Sequence, residues 1–269
     1  LKRRPVWIAT LVLIPALYGV GWLLAQPIGL ALPANSGSRL SLIGTVISLM
    51  LFILVLPGWV RNRWGSRHPW LTLGLRSRRG EASSARCLTL GLLRSAALLA
   101  LISLPVLLGS WGRWLGEMTG ADALNALLLC FGVGLAEELL FRGWLWGELN
   151  ALTGQRTAVI GQALIFSLVH TRFDQGLLPM LGLLSGLMLL GLVLAVQRRL
   201  DGGSLWGCIG LHGGLVGGWF ALRSGLLQIS PRAPDWLIGP GGLHANPLGG
   251  VVGIVVLSLL LMRQLTALA

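Results

Sequence analysis

The 269-residue chain is 54% hydrophobic and 11% charged, with a net charge of +12 and a mean hydropathy of +0.78. A soluble domain carries about 25% charged residues, so the composition excludes a soluble cytosolic enzyme, a disordered chain and a disulfide-built secreted module. It fits an all-α, polytopic integral membrane protein, whose basic excess orients the spans and meets anionic lipid headgroups, with no call for nucleic acid.

Apolar runs of span length occur at 5–25, 40–60, 87–109, 122–146, 157–173, 176–196, 204–222 and 248–268. They predict about eight transmembrane helices forming a single transmembrane domain over 1–269. Residues 1–120 hold the N-terminal spans and a basic loop, 121–222 a core that carries the motifs, and 223–269 an outer loop and the last span. The first run follows Lys2-Arg3-Arg4 and is too long for a leader core, so it reads as a retained anchor. The loop at 61–86, rich in Arg, Ser and Gly, reads as a surface against anionic lipid. Cys87, Cys130 and Cys208 are scattered without CxxC spacing and read as packing residues.

The run at 157–173 is marginal and the next follows closely, which implies a tight re-entry. Gly182/Gly186, Gly213/Gly217, Gly214/Gly218 and Gly249/Gly253 have the spacing that lets helix backbones approach closely. The 223–247 stretch, with four prolines and His244, reads as an irregular outer loop whose histidine is an ordinary surface residue. With the N-terminus inside, alternating spans place 14 of the 21 Lys and Arg residues inside and 5 outside, leaving Arg94 and Arg142 within spans. The positive-inside rule therefore predicts that both termini are cytoplasmic.

Only nine acidic residues exist, and Glu137 and Glu138 stand together inside one apolar run. A carboxylate at membrane depth costs at least ~2.5 kcal/mol, so two adjacent ones demand partners. Arg142 lies four residues after Glu138, on the same helix face, where an ion pair forms. Glu137 points about 100° away and needs a partner from another helix, a metal or water. His170 and His212 are the candidates, with Phe166 placed to pack on His170 from one turn before it. From the cytoplasmic ends of their runs, Glu137, His170 and His212 lie ~14, ~20 and ~12 Å deep. A lone membrane histidine ordinarily staples helices by hydrogen bonds, but two histidines, two glutamates and an arginine in three spans point to a functional site.

The order Glu137-Glu138-x-x-x-Arg142, Phe166-x-x-x-His170 and then His212 resembles the motif series of the CPBP family (CAAX proteases and bacteriocin-processing enzymes, or Abi), which includes type II CAAX prenyl endopeptidases. The resemblance covers about 125–220 and implies eight helices around an intramembrane cavity. It implies an intramembrane, metalloprotease-like endopeptidase in which Glu137 activates water, His170 partners it and His212 stabilises the oxyanion, with Glu138, Arg142 and Phe166 in support. A divalent metal such as zinc, held by Glu137, His170 and His212, stays open as an alternative. Many relatives carry an asparagine four residues after the third-motif histidine, whereas this chain has Val216. That departure keeps a second reading in play, a non-catalytic membrane adaptor or bacteriocin-immunity protein. A proton-relay transporter is the third, weakened by the lack of an inverted repeat. The implied partners are membrane lipids and a membrane-associated peptide or protein substrate, in a bacterial cytoplasmic membrane or its equivalent.

Overall fold

In lipid an apolar run must satisfy its backbone internally, and the α-helix does so within one segment. A computed structural model describes residues 7–30, 37–77, 80–240 and 246–269, and these are mostly helical. In chain order the helices are α1 (Trp7–Gly29), α2 (Gly37–Trp64), α3 (Pro69–Leu73), α4 (Glu81–Leu108), α5 (Gly120–Thr153), α6 (Gln155–Leu168), α7 (Leu177–Leu200), α8 (Trp206–Ala221), α9 (Asp235–Ile238) and α10 (Val251–Thr266).

Every predicted apolar run coincides with a helix, but the lengths differ from expectation. Among the described residues, five helices are long and apolar enough to cross a membrane: α1, α2, α4, α5 and α7. Helices α6 and α10 have 14 and 16 residues, while the 16 residues of α8 run on into a π-helical segment, Leu222–Leu226. At 1.5 Å per residue α6 and α10 reach about 21–24 Å, short of a ~30 Å hydrocarbon core. The run at 157–173 is cut because α6 stops at Leu168, where the amides of His170 and Thr171 bond back to Ser167 and Leu168 carbonyls. That tight turn leaves His170 at the helix end.

By packing, the chain forms two compact units, Leu1–Thr72 and Leu73–Ala269. The division falls within α3, between Thr72 and the fully buried Leu73. In the first unit α1 and α2 pack through small residues, with Gly21 against the Gly44 carbonyl and Ser48. Arg63 donates to Thr10 Oγ1 at 3.2 Å and lies over the Trp59 ring. Large apolar side chains such as Leu11, Leu23 and Leu54 point outward, as lipid-facing positions do.

The second unit is organised by α8. Its two glycine rows face different neighbours: Gly213 and Gly217 press on Cys130 and Ala126 of α5, while Gly214 and Gly218 press on Ser95 and Leu99 of α4. Successive residues of a helix are turned by about 100°, so one GG doublet makes two close contacts at once. A Cβ at Gly213 would overlap the Cys130 backbone carbonyl, which cannot move without parting the helices. Gly213→Ala is therefore expected to destabilise by ~1–3 kcal/mol through overpacking, read as a lower Tm in detergent. An unchanged Tm would show that α8 and α5 have slack between them.

Polar residues close the end of this unit that holds the α7–α8 turn. Gln197 Oε1 accepts from Arg94 Nη1 at 2.8 Å and from Gln264 Nε2 at 2.9 Å, tying α4, α7 and α10 together. Gln197 Nε2 donates to Asp201 Oδ1 at 2.8 Å. Burial pushes the Asp201 carboxyl above its ordinary range, opposed by that hydrogen bond and by Arg94. Arg94, the charge left inside a span, thus has a structural partner.

At the opposite end the described residues of the 223–247 stretch hold regular elements rather than an irregular loop. Leu227–Ile229 pairs antiparallel with Gly112–Trp114, a two-stranded addition to an otherwise helical fold. Ala233, Leu237 and Ile238 bury against Val106, with Trp111 meeting Trp236 edge-on at 6.0 Å. The apolar residues between the prolines supply this small core, which proline counting alone does not reveal. His244 lies outside the described residues.

Candidate active site

The site begins with an irregularity in α5. A single α-helical turn, Gly134–Glu138, stands between two π-helical segments, Leu129–Val133 and Leu139–Leu145. Such π turns widen a helix locally and recur at functional sites. Here they bracket the glutamate pair.

Glu138 points into the protein interior and is fully buried. Its Oε1 accepts from Arg142 Nη1 at 2.8 Å and pairs with His212 Nδ1 at 2.7 Å. Arg142 is also fully buried, and its guanidinium lies 4.1 Å over the Phe166 ring. Charge on each side of this pair is compensated, so neither ion stands alone in a low-dielectric interior. The bond from Glu138 to His212 was not legible in the spacing, because it joins residues 74 apart on separate helices.

Phe166, fully buried on α6, works as a wedge. Its ring centroid lies 5.0 Å from that of His170, 5.5 Å from His212 and 5.1 Å from Phe141, all edge-on. Edge-to-face contacts of this kind hold ring orientation as well as burying area. The expected packing of Phe166 on His170 therefore extends to His212 and Arg142.

Glu137 turns the other way. Its Oε2 lies 3.7 Å from His170 Nε2 and 3.8 Å from His212 Nε2. His170 Nδ1 is 2.7 Å from the Phe166 carbonyl. A carbonyl only accepts, so the Nδ1 carries the proton and the Nε2 lone pair faces Glu137. On His212 the Nδ1 is turned to Glu138 Oε1 instead, and the Nε2 faces Glu137. The structure thus brings Glu137, His170 and His212 together, with Glu138, Arg142 and Phe166 around them.

The two separations from Glu137 are too long for direct hydrogen bonds and suit a bridging water. Glu137 Oε2 is buried with no direct hydrogen bond among the described residues. Adjacent ligands of a tetrahedral zinc at 2.0–2.1 Å stand ~3.3–3.4 Å apart, closer than these groups. Among the described residues, no three His, Cys, Asp or Glu side chains gather closely enough to hold a metal ion. As placed, the residues do not fit zinc, and the mechanism below uses none.

Glu137, His170 and His212 line a cavity of about 380 Å³ whose walls include Leu183, Leu187, Leu190, Leu215, Val216 and Trp219. Arg172, Gln175 and Asn246 add polar groups to the same lining. Sequence reasoning missed these three. Arg172 and Gln175 follow the second motif closely in the chain, whereas Asn246 carries no local signal and reaches the cavity only through the fold.

Residues 119–217 match the family model described as type II CAAX prenyl endopeptidase Rce1-like. Residues 1–68 match a domain of unknown function (DUF8676), a range that falls within the first structural unit. No curated protein matches the chain, and no solved structure does.

Proposed function

We propose, from the premise that this chain is a member of the CAAX protease family, that it is an intramembrane endopeptidase acting on membrane-associated peptide segments. The observation that carries this reading is the Glu137 carboxylate, set 3.7 and 3.8 Å from the Nε2 atoms of two oriented imidazoles on an apolar cavity. A water there gives one hydrogen to Glu137 Oε2 and the other to His170 Nε2, which aims an oxygen lone pair into the cavity. Glu137 takes the proton as the oxygen attacks the peptide carbonyl carbon. His212, protonated on both nitrogens with Nδ1–H held by Glu138, turns an Nε2–H toward the developing oxyanion. Collapse of the tetrahedral intermediate breaks the C–N bond, and Glu137 returns the proton to the leaving amine. Glu138 and Arg142 position His212 and touch no reacting atom. The apolar walls suit a lipid-anchored or membrane-embedded substrate segment.

The test is cleavage of apolar-anchored peptides by purified protein, comparing wild type with His170→Ala and His212→Ala. Each variant is expected to lose at least about 100-fold while still folding, because each removes one partner of the water or the oxyanion. Full activity in both would sink the mechanism, and no cleavage by wild type would leave the non-catalytic reading.

The geometry also bears on sidedness. Within the second unit, Arg172, Gln175 and Asn246 lie at the end where α6 stops and α10 begins, while Arg156, Arg198, Arg199 and Arg263 lie at the opposite end. The positive-inside rule puts the arginine-rich end in the cytoplasm, so the polar mouth faces the other side. A Gln175→Cys variant is expected to react with a membrane-impermeant maleimide in intact cells. Labelling only after the membrane is opened would reverse the orientation.

A further inference from the structure

We infer that Asn246 supplies the second oxyanion donor of this site, from a loop outside the motif-bearing helices; the inference rests on the endopeptidase reading. Charge on a tetrahedral oxyanion is best held by two or more pre-aimed donors. His212 Nε2 provides one. The next turn of α8 toward the mouth presents Val216, which cannot donate. A second donor must come from another element lining the cavity.

Register along the helices shows where that element enters. Cys208 Sγ donates to the Leu194 carbonyl at 3.2 Å, which fixes α8 beside the antiparallel α7. Moving one turn at a time, His212 comes level with Leu190 and Val216 with Gly186. The Leu248 carbonyl presses against Gly186 so tightly that a Cβ there would overlap it. The Pro247 carbonyl presses on Gly253 of α10 in the same way. The segment from Asn246 to Leu248 therefore dips into the cavity wall at the depth of Val216.

The amide of Asn246 is also aimed. Its Oδ1 accepts the Leu248 N–H at 3.0 Å, as the N-cap of the short helical turn Pro247–Gly249. A backbone N–H can only be met by the oxygen, so the Nδ2 end, with two N–H groups, is directed away from that turn. The bond to Leu248 is the side-chain amide's one hydrogen bond among the described residues. The backbone beneath is held as well, since Gly239, at φ +87°, lies directly against the Asn246 carbonyl. Arg172, by contrast, is exposed and makes no fixed side-chain bond among the described residues, so it is not pre-aimed.

Asn246 thus restores, from a different element, the donor that position 216 lacks. The experiment uses full-length purified protein in detergent and a pool of fluorophore–quencher octapeptides carrying an apolar anchor. It compares wild type, Glu137→Gln, Asn246→Ala, and Asn246→Ala combined with Val216→Asn. We expect Asn246→Ala to lower kcat about 100–1,000-fold with KM within about twofold, the size of one lost oxyanion donor. The double variant should recover at least about tenfold, which a merely structural role of Asn246 would not give. If wild type exceeds Glu137→Gln but Asn246→Ala keeps its kcat, or the double variant recovers nothing, this inference falls and the endopeptidase reading stands. If wild type equals Glu137→Gln on the whole pool, the reading itself falls and takes the inference with it.

Discussion

Replacing Glu137 by Gln is expected to lower kcat by about 10³–10⁴-fold, the contribution of a well-placed general base, while leaving the protein folded. The substitution keeps the shape of the side chain and removes only its capacity to take a proton. Little stability should be lost. Glu137 is 27% exposed, and its contacts with His170 and His212, at 3.7 and 3.8 Å, are longer than direct hydrogen bonds. Thermal unfolding in detergent should therefore give a Tm within a degree or two of wild type. The split between lost activity and kept stability is what marks a reacting group. Retained cleavage in Glu137→Gln would end the glutamate mechanism, and a collapsed Tm would move Glu137 to a structural role.

The opposite split is expected at Arg142. Arg142→Ala strands Glu138, fully buried, without its cation, and breaking such a pair from one side costs about 3–5 kcal/mol. It also removes the guanidinium from the face of Phe166, the ring that holds both histidines. A Tm loss of roughly 10 °C should follow for a chain of this size, with activity falling in step. Combining Glu138→Leu with Arg142→Met should recover much of the Tm, since replacing a whole buried ion pair by apolar groups is often neutral or better. It should recover no activity, because His212 then loses the acceptor at its Nδ1. If Arg142→Ala unfolds at the wild-type temperature, the pair is not what holds α5 to its surroundings.

The two glutamates, adjacent in the chain, thus divide the work between chemistry and support. The division follows from the ~100° turn between successive helical residues, which sends one carboxylate to the cavity and the other to the interior. It makes a simple diagnostic: activity and stability should separate at position 137 and fall together at 142.

Much of this was present in the amino-acid order itself. Apolar runs located every membrane-length helix, because a backbone in lipid has so few alternatives. The Glu138–Arg142 spacing required one ion pair, and the scarcity of acidic residues singled out Glu137. The motif order also pointed to the family whose model matches residues 119–217. Each of these signals is local, or depends on the bilayer rather than on neighbours.

The tertiary structure decided what depends on neighbours. Composition could not show that α6 and α10 are short, since their ends are set by a turn at Leu168 and by a loop folded inward before Val251. Nor could it show that His212 serves Glu138 through Nδ1, or that Phe166 touches four site residues at once. Asn246 is the clearest case: nothing around it in the chain marks it, and it reaches the cavity because glycines at 186 and 253 let a loop press between two helices. Hydrophobicity and helical periodicity can be summed along a chain, whereas a site assembled from separate helices exists only once close packing has set their depth and rotation against one another.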